Sequence, residues 1–242
     1  LQTTVTGIFE GRWRETKGLV IPNPGDLRLD NEARSFDGAT VLYADLADST
    51  SLVDNYPWEF SAEIYKAYLR CAAKIIKDEG GVITAYDGDR VMAIFLGDRK
   101  NTRAVRAALK IAYAVTNIIN PALKEQYPKK NYSVAHSIGI DTSPIHAASI
   151  GVRGDNDLVW VGRAANHAAK LAGKHGYPIW ITKEVHDALS PNLKFDEAKS
   201  ASMWHQRSWS EIDNRTIYGT IYASNALGAA FGPTVGALLI EA

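Results

Sequence analysis

Apolar and polar residues follow one another along the chain in runs that predict both strands and helices. Residues 40–45 form an apolar, strand-like run, and the polar residues 48–51 after it can cap a helix. A helix is predicted over 57–78, because apolar residues recur there at helical spacing, namely at Phe60, Ile64, Ala67, Tyr68, Cys71 and Ile75. Gly80 and Gly81 end this helix.

The centre of the pattern is a predicted β-hairpin. Two strand-like runs, 82–86 and 89–95, flank Asp87 and Gly88, and an Asp-Gly pair between such runs is a strong hairpin signal. Further elements are a helix over 101–124, strands over 132–140, 145–150, 158–161, 178–181 and 216–222, and helices over 164–173 and from Thr182 to Leu189. This mixture predicts an α+β sandwich, with helices packed on a mostly antiparallel sheet.

The regular pattern occupies only the middle of the 242 residues. Residues 1–36 are polar and interrupted by prolines, so we interpret them as an N-terminal extension; residues 37–190 form the predicted main domain. Residues 191–242 are expected to pack on that domain and to end in an apolar tail over 226–240. That tail is shorter than the roughly 20 residues of a membrane span.

Charge and cysteine content narrow the class of protein. Lys plus Arg and Asp plus Glu number 27 each, so no broad positive field attracts nucleic acid, and we expect no nucleic-acid partner. Cys71 is the single cysteine, which suits a reducing compartment. With no secretion signal in the pattern, we expect a cytoplasmic protein.

Two acidic residues are candidate metal ligands. Asp45 ends the first main strand, and Asp89 follows the turn of the central hairpin. If that strand lies beside the hairpin, the two carboxylates meet at one end of the sheet, where they repel each other unless a cation lies between them. Mg²⁺ with triphosphate oxygens would fit, since this ion takes few protein ligands. Local hydrogen bonding in turns also explains an Asp at either position taken alone.

Two polar segments are candidate phosphate and ribose contacts. Asp48, Ser49 and Thr50 lead from the strand into a helix, and their backbone N–H groups and hydroxyls can surround a phosphate. Asn166 and Lys170 are four residues apart and therefore share one helix face, suited to a ribose and a phosphate. Considered alone, the first segment is better explained as an ordinary helix cap, and the second as a solvated polar stripe.

Four blocks together resemble the catalytic domain of class III adenylyl and guanylyl cyclases. They are residues 43–50, 88–95, 137–142 and 162–171, in the family's order and spacing, and the resemblance covers about residues 37–190. It implies a ferredoxin-like α+β sandwich that assembles as a head-to-tail homodimer with active sites at the interface. The implied substrate is a nucleoside triphosphate, which is cyclised with release of pyrophosphate.

The resemblance also implies roles for individual residues. Asp45 and Asp89, with the carbonyl of Leu46, would hold two Mg²⁺ or Mn²⁺ ions in each active site. Asn166 matches the ribose-orienting asparagine of the family. Lys170 stands where the family usually has an arginine that stabilises the transition state; a lysine lacks the planar fork of that arginine. The metal pair would come from one protomer and the Asn/Lys pair from the other.

The purine-reading positions depart from the family pattern. Ala85 and Val159 stand where adenylyl cyclases carry polar base-reading residues, so neither side chain can hydrogen-bond a purine. Tyr43, two residues before the first carboxylate, and Arg90 are instead large polar residues that would shrink the base pocket and favour a single-ring base. In these features the chain is similar to the pyrimidine cyclases of bacterial Pycsar antiphage systems, whose cyclic UMP or cyclic CMP activates a separate effector.

Several alternatives remain open at this point. Arginine only donates hydrogen bonds and uracil offers the acceptor O4, so UTP is favoured over CTP if Arg90 reads that edge. An adenylate or guanylate cyclase, or an inactive cyclase-like module that binds nucleotide without turnover, would carry similar blocks. A diguanylate cyclase is excluded, because its hairpin reads Gly-Gly-Asp/Glu-Glu-Phe whereas residues 86–89 read Tyr-Asp-Gly-Asp. A structural interaction protein would show no metal-dependent ligand binding.

Overall fold

The computed structural model describes residues 1–196 and 201–222. The predicted apolar tail, 226–240, lies outside these residues. In chain order the first elements are α1 (Gln2–Glu10), β1 (Arg14–Lys17), β2 (Glu32–Leu46), α2 (Ser49–Asn55), α3 (Trp58–Asp78), β3 (Val82–Asp87), β4 (Arg90–Phe95), α4 (Lys100–Ala114) and α5 (Asn120–Gln126). They are followed by β5 (His136–Val152), β6 (Asp155–Val161), α6 (Arg163–Ala172), β7 (Ile179–Thr182), α7 (Lys183–Asp187), β8 (Phe195–Asp196), β9 (Ala201–Ser202), β10 (His205–Trp209) and β11 (Arg215–Thr220).

Within the described residues, nine strands form one sheet whose central path runs β10-β11-β7-β5-β2-β4-β3. Most neighbours are antiparallel; β5 and β7 are parallel, as are β1 and β2. The long strand β2 lies between β4 and β5, and β6 extends the outer half of β5 as a hairpin. The expected α+β sandwich with a mostly antiparallel sheet is therefore confirmed.

The two faces of the sheet bury different sets of residues. On β2 the alternate residues Leu42, Ala44 and Leu46 pack against α3 and α4 in one core. The alternate residues on the opposite face of β2 are directed toward α6. Val41 belongs to a second apolar cluster on this side, and Tyr43 packs against that cluster. Since side chains alternate along a strand, each residue of β2 is committed to one of these two faces.

Several elements differ from the predicted pattern, and three of these differences concern the centre of the fold. β2 begins at Glu32, so the expected boundary between 36 and 37 falls inside this strand, and Phe36 is 3% exposed. Two strands were expected over 132–140 and 145–150, but β5 is continuous, because its polar middle pairs with β2. The helix expected over 101–124 is interrupted by a π turn, Val115–Ile119, which precedes Pro121. A proline in the helix interior removes a backbone donor, and the wider turn accommodates that loss.

None of the helices in the described ranges is both long enough and apolar enough to cross a bilayer.

Candidate active site

The two predicted metal carboxylates lie at one end of the sheet, Asp45 on β2 and Asp89 in the turn before β4. Ala44 of β2 pairs with Val91 of β4, and the antiparallel register therefore brings the next residues, Asp45 and Arg90, side by side. Asp89 precedes Arg90 in the tight turn that joins β3 to β4. The negative charge of Asp89 reaches Asp45 strongly enough to contribute to the rise in the pKa of Asp45.

The carboxylate of Asp45 lies in a mixed electrostatic environment. Burial raises the pKa of Asp45 most, and Asp89 adds to the rise. The guanidinium of Arg90 opposes it, since Arg90 Nη2 donates a hydrogen bond to Asp45 Oδ2 at 2.8 Å. The side chain of Asp45 is 14% exposed, so this ion pair is only partly screened by water.

The residues at this strand end fit a divalent cation. Asp89 Oδ2 is buried and accepts no hydrogen bond from the described residues, which leaves an anionic oxygen to be satisfied. Carboxylate oxygens are the ligands that Mg²⁺ and Mn²⁺ prefer. The described residues contain no group of three or more His, Cys, Asp or Glu that could hold an ion alone, so phosphate and water would complete the coordination. Leu46 is the last residue of β2 and follows Asp45 directly.

The predicted phosphate segment forms the start of α2. Asp48 adopts a left-handed conformation with φ of 58°, and its side chain makes no capping hydrogen bond. Asp48 and Thr50 are exposed, whereas Ser49 is partly buried, and its hydroxyl partly opposes the rise that burial causes in the pKa of the Tyr65 phenol. The backbone of Asp48 therefore turns sharply next to the carboxylate pair and leaves polar groups open beside it.

Three of the four predicted base-reading positions, Tyr43, Arg90 and Ala85, lie together near the predicted metal carboxylates. Tyr43 is half-buried on the α6-facing side of β2, and the positive charge of Arg90 acts on its phenol. Ala85 of β3 packs against the same apolar cluster as Tyr43. Val159 is not brought to this group in the same chain: its neighbour Leu158 packs against that cluster, and alternation along β6 directs Val159 to the other side.

Asn166 and Lys170 occupy one exposed face of α6, as their spacing predicts. Neither side chain forms a hydrogen bond or ion pair with any residue in the described ranges, Asp45 and Asp89 included. One copy of the chain therefore presents two incomplete groups of polar residues.

A buried polar group that sequence reasoning missed lies between α6 and β5. Gly139 of β5 lets the helix approach so closely that a Cβ there would lie 2.1 Å from the carbonyl oxygen of Ala168. Two residues further on, the fully buried carboxylate of Asp141 faces Arg163 and His167 of α6. The spacing of Gly139 and Asp141 on one strand face was the available sequence signal, but only the position of α6 gives it meaning.

The buried face of α3 carries a second group that the sequence concealed. Tyr68 lies in the apolar stripe that predicts this helix, and the pattern treats it as a packing residue. Its hydroxyl donates a hydrogen bond to the backbone carbonyl of Asp45 at 3.1 Å. Tyr68 therefore supports the end of β2 that carries the first carboxylate.

Comparison with known proteins identifies the family. The family described as the adenylate and guanylate cyclase catalytic domain matches residues 31–210. The chain therefore belongs to this family of class III nucleotidyl cyclases, as its four sequence blocks predict. A uridylate cyclase of Burkholderia cepacia is 50% identical over 221 residues, covering 91% of this chain and 95% of that relative. A uridylate cyclase of Xanthomonas perforans is 50% identical over 219 residues, covering 90% and 94%.

Solved structures support the same fold. The crystal structure of the guanylyl cyclase Cya2 matches with a TM-score of 0.65 and 18% sequence identity, covering 79% of this chain and 94% of that one. At this level of identity the likeness concerns the fold alone. The nucleotidyl cyclase fold and activity class are thus established, and the choice of nucleotide depends on the residues of the site.

Proposed function

We propose that this protein is a uridylate cyclase, which converts UTP to cyclic 3′,5′-UMP and pyrophosphate. The observation that carries the proposal is the group formed by Tyr43, Arg90 and Asp45, in which two large polar side chains stand next to a metal carboxylate. The small Ala85 packs against the same cluster, where a purine cyclase would carry a polar residue. The 50% identity to two uridylate cyclases supports the same nucleotide.

Asp45 and Asp89 would bind the divalent ions, Mg²⁺ or Mn²⁺, together with the carbonyl of Leu46. When bound, these ions lower the pKa of the ribose 3′-hydroxyl and neutralise the triphosphate. Asp89 Oδ2 is buried and accepts no hydrogen bond within the described ranges, which supports this role, because burying an anionic oxygen without a donor is unfavourable unless a cation binds it.

The remaining polar residues would orient the substrate. Asp48, Ser49 and Thr50 border the carboxylates, and their backbone N–H groups would bind the triphosphate. Asn166 would orient the ribose so that its 3′-oxygen attacks the α-phosphorus in line with the departing pyrophosphate. Lys170 would place its positive charge against the oxygens of that phosphorus, where negative charge increases in the transition state.

The exposure of Asn166 and Lys170 supports a symmetric homodimer. Neither side chain forms a hydrogen bond or ion pair among the described residues, Asp45 and Asp89 of the same chain included. A head-to-tail dimer would bring α6 of one copy to the carboxylate pair of the other and thereby complete two equal sites. The proposal therefore requires two copies for activity.

The preference for UTP over CTP would come from hydrogen-bond polarity. Arg90 offers only donors; uracil presents the acceptor O4 at the position where cytosine presents an amino donor. The guanidinium of Arg90, paired with Asp45, already lies near Tyr43. Once released from Asp45, Arg90 would be able to donate hydrogen bonds to the edge of the pyrimidine. We further propose that the product is a cytoplasmic second messenger that activates a separate antiviral effector.

Product analysis with all four ribonucleoside triphosphates tests the proposal. We expect cyclic UMP and pyrophosphate from UTP in the presence of Mn²⁺ or Mg²⁺, identified by mass spectrometry, and at most a small amount of cyclic CMP. Asp45→Asn and Asp89→Asn should abolish product while the protein remains folded and dimeric. Cyclic CMP as the main product would overturn the nucleotide assignment, and an Asn variant that still turns over would overturn the metal assignment.

A further inference from the structure

Asp141 carries a carboxylate that is completely buried beneath α6. Thr182 Oγ1 donates a hydrogen bond of 2.6 Å to Asp141 Oδ1. Arg163 Nε and His167 Nδ1 lie 3.2 Å and 3.3 Å from Asp141 Oδ2. These last two contacts lack aligned hydrogen-bond geometry, so they act through charge and dipole. Arg163 Nη2 also donates a long hydrogen bond of 3.5 Å to Asp141 Oδ1.

Burial of this carboxylate is unfavourable for folding by itself. Burial raises the pKa of the Asp141 carboxyl, and the hydroxyl of Thr182 and the charge of Arg163 only partly oppose that rise. An apolar residue of similar size would avoid this desolvation, since a buried ion pair is often no more stabilising than good apolar packing. The arrangement therefore calls for a reason other than stability.

Two of the partners of Asp141 are located on α6, at the two ends of its first helical turn. Arg163 is the first residue of the helix and His167 follows one turn later. Arg163 also donates to the backbone carbonyl of Thr142 at 2.7 Å and pairs with Glu184 at 2.9 Å. The ring of His167 packs edge-on against Trp209, with centroids 5.2 Å apart. Rotation or sliding of α6 along β5 would break several of these contacts together.

The same helix carries the two residues that the proposed dimer requires. Asn166 precedes His167, and Lys170 lies one turn beyond Asn166 on the exposed face. Neither side chain has a partner in the described residues that would hold it in place. Their position toward a second copy of the chain is therefore set by the backbone of α6 alone.

We propose that Asp141 is a positioning residue: it fixes the rotation and axial register of α6, and thereby aims Asn166 and Lys170 at the carboxylate pair of the partner subunit. This inference rests on the proposed cyclase dimer. A displacement of about 1 Å at such a site can reduce the rate roughly 100-fold. Asp141 itself touches no substrate in this arrangement.

Asp141→Asn is the first test, because it removes the charge and keeps the shape and the hydrogen bond from Thr182. We expect kcat to fall at least about tenfold while KM for the nucleotide and the affinity for Mn²⁺ change less than about twofold, since the metal half of the site is untouched. Ser143→Ala is a matched control on the same strand, where the hydroxyl accepts from Ala164 N at the start of α6 but no buried charge is present. This control should retain most activity.

Complementation between two co-expressed, differently tagged chains separates positioning from a general loss of structure. Asp45→Ala paired with Asn166→Ala is the reference: the proposed dimer predicts one intact site and about half of wild-type activity. Asp141→Asn paired with Asp45→Ala should likewise restore one intact site. Asp141→Asn paired with Asn166→Ala should not, because both defects then lie in the α6 half.

The outcomes test the positioning role of Asp141 separately from the shared-site dimer on which it rests. If the reference pair remains inactive, the shared-site dimer of the proposed function is wrong. If the reference pair is active but Asp141→Asn fails with Asp45→Ala, or succeeds with Asn166→Ala, the effect is not confined to α6 and the inference is overturned. Should Asp141→Asn not fold, Thr182→Val removes only the 2.6 Å hydrogen bond and is used in the same pairs.

Discussion

Arg90 Nη2 and Asp45 Oδ2 are joined by a hydrogen bond of 2.8 Å, so the arginine beside the hairpin turn neutralises a carboxylate proposed to bind metal. Both side chains are partly buried, at 36% and 14% exposure, and their attraction is stronger than that of a surface pair. A cation at Asp45 would have to displace this guanidinium. Metal binding and release of Arg90 toward the base are therefore expected to be linked.

Arg90→Ala should tighten Mn²⁺ binding in the absence of nucleotide. Without the guanidinium, Mn²⁺ no longer competes with a positive charge for the carboxylates of Asp45 and Asp89. We therefore expect the Kd for Mn²⁺ to fall by up to about tenfold. Titration of Mn²⁺ followed by electron paramagnetic resonance measures this Kd. Arg153→Ala, at an exposed turn between β5 and β6, is the control, and an unchanged Kd for Arg90→Ala would contradict the linkage.

Tyr43→Phe should reduce discrimination between UTP and the other triphosphates and leave stability nearly unchanged. The ring of Tyr43 packs against the cluster beneath α6, and phenylalanine preserves that packing while removing the hydroxyl. Rates measured with UTP and CTP in direct competition report the selectivity, and thermal unfolding reports the stability. Tyr86→Phe, on the exposed side of β3, is the matched control. Unchanged selectivity would remove Tyr43 from the base pocket.

Lys170→Met should lower kcat about 100-fold or more, because a positive charge aimed at the reacting phosphorus stabilises the transition state. Lys170→Arg should retain or increase the rate, since an arginine offers the same charge with a planar fork. Lys66→Met, on an exposed face of α3, controls for loss of a surface lysine. Full activity of Lys170→Met would show that this position does not take part in the reaction.

Gly139→Ala should both destabilise the protein and impair turnover. The new Cβ would overlap backbone atoms of α6, at 2.1 Å from Ala168 O and 2.5 Å from Ala172 N, so the helix must move. Overpacking of this kind costs roughly 1–3 kcal/mol. Gly38→Ala is the control, because a Cβ there meets only Lys100 at an ordinary 3.6 Å. Denaturant unfolding and steady-state kinetics measure the two effects; normal values of both for the Gly139→Ala variant would show that α6 has room to shift.

His136 should make stability depend on pH below neutrality. Burial lowers the pKa of His136 to about 4. Its ring nitrogen Nε2 is buried and has no hydrogen-bond partner among the described residues, although the residue as a whole is partly exposed. The imidazole of His136 takes up a proton near pH 6.5 in the unfolded chain and only near pH 4 in the folded chain. The free energy of unfolding therefore shows no penalty from His136 above about pH 6.5. As the pH falls towards 4, protonation of the unfolded chain lowers that free energy by up to about 3 kcal/mol.

His136→Asn should flatten that part of the pH dependence, whatever its effect on stability at pH 7. Free energies of unfolding from denaturant titrations at several pH values between about 7 and 4 provide the measurement. His175→Asn, at an exposed position, should leave the slope as in the wild type. An equal slope in the His136 variant and the wild type would mean that the buried ring does not control this transition.

Much of the fold follows from local pattern. The hairpin of β3 and β4 forms around Gly88, whose φ of +59° suits the tight turn that the Asp-Gly pair predicts. The helical stripe over 57–78 becomes α3 with Phe60, Ile64 and Tyr68 buried. The meeting of Asp45 and Asp89 also follows, once β2 lies beside β4.

Other features have no local signal. The continuity of β5 through the polar residues Asp141 and Thr142 depends on pairing with β2, far earlier in the chain, as the partners Val41 and Thr40 show. Similarly, no spacing rule connects Asp141 to Thr182 or Arg90 to Asp45, because each pair joins separate elements.

The sequence by itself determined the family and the α+β class and predicted the two carboxylates, since periodicity, turn chemistry and short motifs are local properties of the chain. Only the tertiary structure decided which side chains meet: that Arg90 neutralises Asp45, that Asp141 lies beneath α6, and that Asn166 and Lys170 face outward. The physical reason is that such contacts depend on sheet order and strand register, and these arise from the packing of the whole domain.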